Sequence, residues 1–120
     1  EPPADSRLGS SNPRFLRAEW RRPSVDVAGS LSQLALDREV STATLATAWA
    51  MANDLVHSVI IGPKNLAQLH GYLAAARLTW DDELEKATAT LVAPGTHTGD
   101  SWPDPDYYPV TGRVIRGQNT

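Results

Sequence analysis

The stretch that decides the fold is Ser58-Val59-Ile60-Ile61-Gly62-Pro63-Lys64-Asn65-Leu66-Ala67-Gln68. Residues 58–61 form a short run ending in three β-branched side chains. The run is too short for a helix and reads as a strand buried on both faces rather than an alternating surface strand. Gly62-Pro63 ends it. Asn65 then stands as an N-cap with Gln68 three residues on, the spacing of a capping box. Leu66, Leu69, Leu73 and Ala76 give the following helix an apolar stripe. A strand that turns through glycine directly into a capped helix aims backbone N–H groups outward. The first N–H groups of a helix lack internal partners and sit at the positive end of its dipole, so the point favours a phosphate or another anion. Lys64 adds a full positive charge there. Taken alone, the turn has two readings: an anion site, or a structural glycine beside a solvated lysine.

Outward from this stretch the pattern is helical. Over 25–38, Val27, Ala28, Leu31, Leu34 and Ala35 recur at three- and four-residue steps, which predicts a helix with one buried stripe. A second helix opens after Ser41 as N-cap and places Leu45, Ala46, Trp49 and Ala52 on one side before Asn53 and Asp54 interrupt it. Thr79 is the expected cap of a last helix over 80–91, with Asp81, Asp82 and Glu83 in its first turn and a thin apolar side of Leu84, Ala87 and Leu91. From Val92 onward Pro94, Gly95, Gly99, Pro103, Pro105, Pro109, Gly112 and Gly117 come too often for a regular element. Three regions follow: a loop-like 1–24 rich in Pro, Ser and Arg, an α/β region 25–91 (helix, helix, strand, helix, helix), and an irregular tail 92–120. Glu1 reads as a cut edge. A single parallel strand cannot bury itself, so the rest of the sheet is expected outside this chain.

Bulk composition narrows the function. The 120 residues would suit one ordinary domain by size, and 41% of them are apolar. Fourteen acidic against eleven basic residues give a formal charge of -3, with no basic run able to track a phosphate backbone, so nucleic acid is not an expected partner. No apolar stretch approaches the roughly 20 residues that span a bilayer, and no signal sequence opens the chain, so no membrane is expected and the cytoplasm is the default location. Cysteine is absent, which excludes a disulfide, a thiolate nucleophile and a Cys-ligated metal. His57, His70 and His97 have no partner at ligand spacing and read as surface or packing residues, so no metal is assigned. The acidic cluster Asp81, Asp82, Glu83 and Glu85 suits a helix start and a solvated face better than acid–base catalysis. Trp49 reads as core. Trp102, Tyr107 and Tyr108 either close over a ligand or belong to an unanchored tail.

From about Val25 to Leu91 the chain resembles the C-terminal third of the aldo-keto reductase family, especially members with a Val-Ile-Ile-Gly-Pro-Arg/Lys turn. The agreement includes Leu45-Ala46-Thr47-Ala48-Trp49 in the penultimate barrel helix, Ser58-Val59-Ile60-Ile61-Gly62 as the eighth strand, Gln68-Leu69 in the eighth helix, and Leu78-Thr79 before an extra terminal helix. Pro2-Pro3 and Asp5-Ser6-Arg7-Leu8 are similar to the long seventh loop. The resemblance implies a C-terminal fragment of a (β/α)8 TIM barrel, mostly helical with one short buried strand. A phosphate site at the last strands is a recurring feature of such barrels. It further implies that Gly62, Pro63, Lys64 and Asn65 line the 2′-phosphate side of the adenosine of NADP, with Lys64 favouring NADP over NAD and Gln68 bonding near the ribose phosphate. Where the family usually has an acidic or amide residue and then Asn against the adenine, this chain has Gly71 and Tyr72, and Tyr72 either stacks on the base or packs within the protein. The tail after the last helix often contributes to the family's substrate pocket.

The family's catalytic Asp, Tyr, Lys and His lie on early barrel strands, and none is assigned here. Tyr107 and Tyr108 have no Lys or His at motif spacing. The expected activity is therefore that of a larger NADP-dependent oxidoreductase, which moves hydride from NADPH to a small aldehyde or ketone, with this section holding the adenosine end. Alone, the chain is expected to be inactive and only marginally stable. The alternative is a non-catalytic relic, or a partner that completes a barrel made in two pieces.

Overall fold

The computed structural model describes residues 2–6, 8, 9, 13, 16 and 20–98. Helix α1 spans Arg22–Asp37. It starts ahead of its apolar stripe because Pro23 fits the first turn, where a fixed φ suits the helix and a missing N–H leaves no bond unmade. Its end is sharp. Glu39 takes a positive φ of 55°, and the Val40 N–H reaches back to the Ala35 carbonyl at 3.0 Å.

Helix α2 covers Thr42–Met51, with the Ser41 hydroxyl accepting from the Thr44 N–H at 3.0 Å, as the sequence predicts. Its buried side differs from the expected stripe. Leu45 and Ala52 are buried, and so are Thr44, Thr47 and Ala48, whereas Ala46 is exposed and Trp49 is 44% exposed. The cause is that α2 packs against two neighbours, α1 and the segment from 66 to 77, so its buried arc is wider and rotated. Threonine can lie in that arc because its hydroxyl finds an acceptor: Thr47 Oγ1 donates to the Ala43 carbonyl at 2.7 Å.

Helix α3 spans Leu66–Ala74 and tightens into a 3-10 turn at Ala75–Arg77. Helix α4 spans Asp82–Leu91. Its cap is Asp81 rather than Thr79, with Oδ1 accepting from the Leu84 N–H at 2.8 Å. The other carboxylate oxygen of Asp81 meets Arg38 at 2.8 Å, and Arg38 also bonds Glu83 at 2.7 Å, so the end of α1 is tied to the start of α4. Thr79 has no such second partner among the described residues to set the helix start. The core is small: Ala35, Leu45 and Leu84, with Leu31, Leu34, Val40, Leu78 and Trp80 packed against it.

The buried strand expected over 58–61 does not form, and no strand occurs among the described residues. Ile60 is 98% exposed, while Val59 and Ile61 are half-buried. A parallel strand exists only through ladder bonds to its neighbours, and no described segment offers them. Beyond α4 the chain turns at Gly95, where φ is +79°, with the Thr96 N–H on the Ala93 carbonyl at 3.0 Å. Thr98 is then held against the start of α1. Its Oγ1 accepts from Arg21 Nη2 at 2.8 Å and shares a proton with Ser24 Oγ at 2.7 Å. Trp102, Tyr107 and Tyr108 lie outside the described residues. No described helix is long and apolar enough to cross a membrane.

Candidate functional site

The turn from Gly62 into α3 is built by short-range bonds. Asn65 has the extended backbone of an N-cap, and its Oδ1 accepts from the Gln68 N–H at 2.9 Å. Gln68 folds back as the capping-box spacing predicts, but one residue further than usual: Oε1 takes the N–H of Lys64, at 2.6 Å, in place of the cap's own N–H. Two donors are thereby consumed. The N–H groups of Asn65, Leu66 and Ala67 have no acceptor among the described residues, so three donors remain at the positive end of α3.

Lys64 is exposed, and its ammonium meets no carboxylate among the described residues. Gly62 is exposed too, and a side chain built there would meet nothing within 4 Å. Its φ lies outside the left-handed region, so glycine is not required here by backbone strain. Gln68 and Tyr72 follow at helical spacing on one side of α3, which sets the half-buried Tyr72 ring one turn beyond the amide. Five of the six predicted cofactor-side residues thus lie in the turn and first turn of α3, and Tyr72 extends the same face.

Sequence reasoning missed what holds this helix in place. Thr44 Oγ1, on α2, donates to the Gly71 carbonyl of α3 at 2.9 Å. Gly71 therefore belongs to the α2–α3 contact. Its residue type carried no sign of this, because the partner lies 27 positions away.

The remaining polar clusters have structural duties. Asp81 caps α4 and pairs with Arg38, whose guanidinium holds the Asp81 carboxyl below the usual carboxylate range, helped by the Leu84 N–H. The same bond to Asp81 raises Arg38 further. Glu85 accepts from Trp80 Nε1 at 2.8 Å. His57 and His70 are exposed and far apart in sequence, and no group of three metal-ligating side chains occurs among the described residues. A concavity of about 380 Å³ opens between α1, α2 and α4, includes Trp49 in its wall and takes in none of the residues of the Gly62 turn.

Comparison with known proteins gives one positive finding: the model of the Aldo/keto reductase family matches residues 6–90, well over half of the chain. No curated protein and no solved structure matches it.

Proposed function

Because the chain belongs to the aldo/keto reductase family, we propose that it is the C-terminal part of a (β/α)8 barrel reductase and binds the adenosine 2′-phosphate end of NADP. The family match makes it a piece of an oxidoreductase barrel. The observation that carries the finer reading is the start of α3, where three N–H groups find no acceptor among the described residues and Lys64 and Gly62 beside them are exposed. When bound, the nicotinamide cofactor supplies the hydride for reduction of a small aldehyde or ketone.

The chain's own residues bind and orient. Asn65, Leu66 and Ala67 offer backbone donors to the phosphate oxygens, and Lys64 neutralises their charge. Gln68 keeps its amide nitrogen for a further donor bond while its oxygen stays on Lys64. Tyr72 offers a flat apolar surface to the base. Proton delivery to the carbonyl oxygen is assigned to no residue of this chain, in keeping with a catalytic group carried on other strands of the barrel.

The test uses 2′,5′-ADP, which carries the 2′-phosphate, against 5′-AMP, which lacks it, titrated into the isotope-labelled chain and read by backbone amide shifts. The expected result is tighter binding of 2′,5′-ADP with the largest shifts at residues 64–68. Equal binding of the two nucleotides, or shifts confined elsewhere, overturns the assignment.

A further inference from the structure

Helix α3 buries no side chain of its own; the buried contact of its segment comes at Ala75, in the 3-10 turn that follows. Its specific tie to α2 is polar. Thr44 is 3% exposed, and its Oγ1 donates to the Gly71 carbonyl at 2.9 Å. In a continued α-helix that carbonyl would take the Ala75 N–H, four residues on. The chain tightens there, however, and the Ala75 N–H points to the Tyr72 and Leu73 carbonyls instead. The hydroxyl of α2 fills the place that the tightening vacates.

Donor counting fixes the direction of these bonds. Thr44 has one hydroxyl proton and Gly71 takes it, so the 2.7 Å contact between the Ser41 and Thr44 hydroxyls is donated by Ser41. Ser41 in return accepts the Thr44 N–H at 3.0 Å. One serine thus starts α2 and polarises the hydroxyl that holds α3, and successive bonds running in one direction strengthen each other.

We propose that Thr44 is a positioning residue for the anion-binding turn, a role that rests on the 2′-phosphate reading of the α3 start. Gly71 lies a rise of about 7.5 Å along the helix axis from Leu66, a length over which an α-helix moves as one body. A fixed carbonyl at Gly71 therefore fixes where the N–H groups of Asn65, Leu66 and Ala67 stand, and with them the Lys64 backbone that Gln68 holds. Donors aimed at a phosphate serve only when held to within about 0.5 Å of the productive geometry. Thr44 reaches the nucleotide only through α3.

Thr44→Val keeps the β-branch and removes the donor. The readout is the ratio of the 5′-AMP to the 2′,5′-ADP dissociation constant, because a variant that only lowers the folded fraction weakens both nucleotides alike. In Thr44→Val this ratio should fall about two- to tenfold, the span that one neutral hydrogen bond corresponds to, whereas Thr44→Ser, which keeps the hydroxyl, should stay near the parent value. A parent-like ratio in Thr44→Val overturns the proposal, as does a fall in Thr44→Ser as large as in Thr44→Val. In the unaltered chain, 2′,5′-ADP should also move the Thr44 amide resonance together with those of 64–68, a measurement that requires no variant to fold; a Thr44 signal that stays in place while 64–68 shift overturns it too. Absence of any preference for 2′,5′-ADP in the unaltered chain is a separate result, which removes the 2′-phosphate reading itself and the positioning role with it.

Discussion

Lys64→Ala tests the cofactor turn most directly, because the structure separates what this side chain contributes from what the backbone contributes. The N–H groups of Asn65, Leu66 and Ala67, and the dipole of α3 behind them, survive the substitution. The Lys64 N–H bond to Gln68 survives as well, since it is a main-chain bond. Only the ammonium is lost. A hydrogen bond to a charged group contributes about 1.5–3 kcal/mol, and the exposure of Lys64 places it at the lower end through solvent screening. About 1.4 kcal/mol corresponds to tenfold in Kd, so 2′,5′-ADP should bind about tenfold more weakly to the variant. Binding of 5′-AMP should change little. Isothermal or NMR titration of both nucleotides at two salt concentrations reads the difference, which should shrink at high salt as the charge is screened. An equal loss for both nucleotides would refute the reasoning, leaving Lys64 as a general source of positive field or a solvated surface residue.

Other substitutions probe the frame around that turn. Leu45 is fully buried, so Leu45→Ala should remove about 2–5 kcal/mol of stability, enough to abolish the cooperative transition of a domain with so small a core; an unchanged urea midpoint would contradict the packing described. Gly71→Ala should be tolerated or stabilise by up to about 1 kcal/mol, because the added methyl would sit 3.7 Å from Ser41 Oγ, an ordinary contact, while an interior helical glycine is removed; a lower melting temperature would show that α2 and α3 lie closer than this. The lowered Asp81 carboxyl contributes stability that is complete above its ordinary pKa of about 3.9 and is lost as pH falls through the lower folded value. Acid titration of helicity should therefore show a loss below about pH 4 that Asp81→Asn diminishes, whereas an identical acid profile for both chains would remove the Arg38 pair from the account.

What could be read from the sequence depended on how far apart the interacting groups lie. Ser41 and Asn65 announce their helices because a cap and its N–H are three residues apart, and both bonds form where the spacing puts them. The same locality makes residues 62–68 legible as one turn and places Tyr72 one turn beyond Gln68. Thr79 fails as the cap of α4 for a reason of the opposite kind. Asp81, read in the sequence as part of the first turn, takes the cap instead, and Arg38 holds it from 43 positions away. Trp49 fails likewise, since a single buried stripe presumes one neighbour and α2 has two. The strand at 58–61 is the most instructive departure. Val59, Ile60 and Ile61 were read for the surroundings in which such residues are buried, and that reading concerns a sheet rather than the segment itself. Where no described neighbour supplies ladder bonds, the same residues leave Ile60 in solvent. Helix signals are carried within a segment, whereas strand signals are a statement about partners.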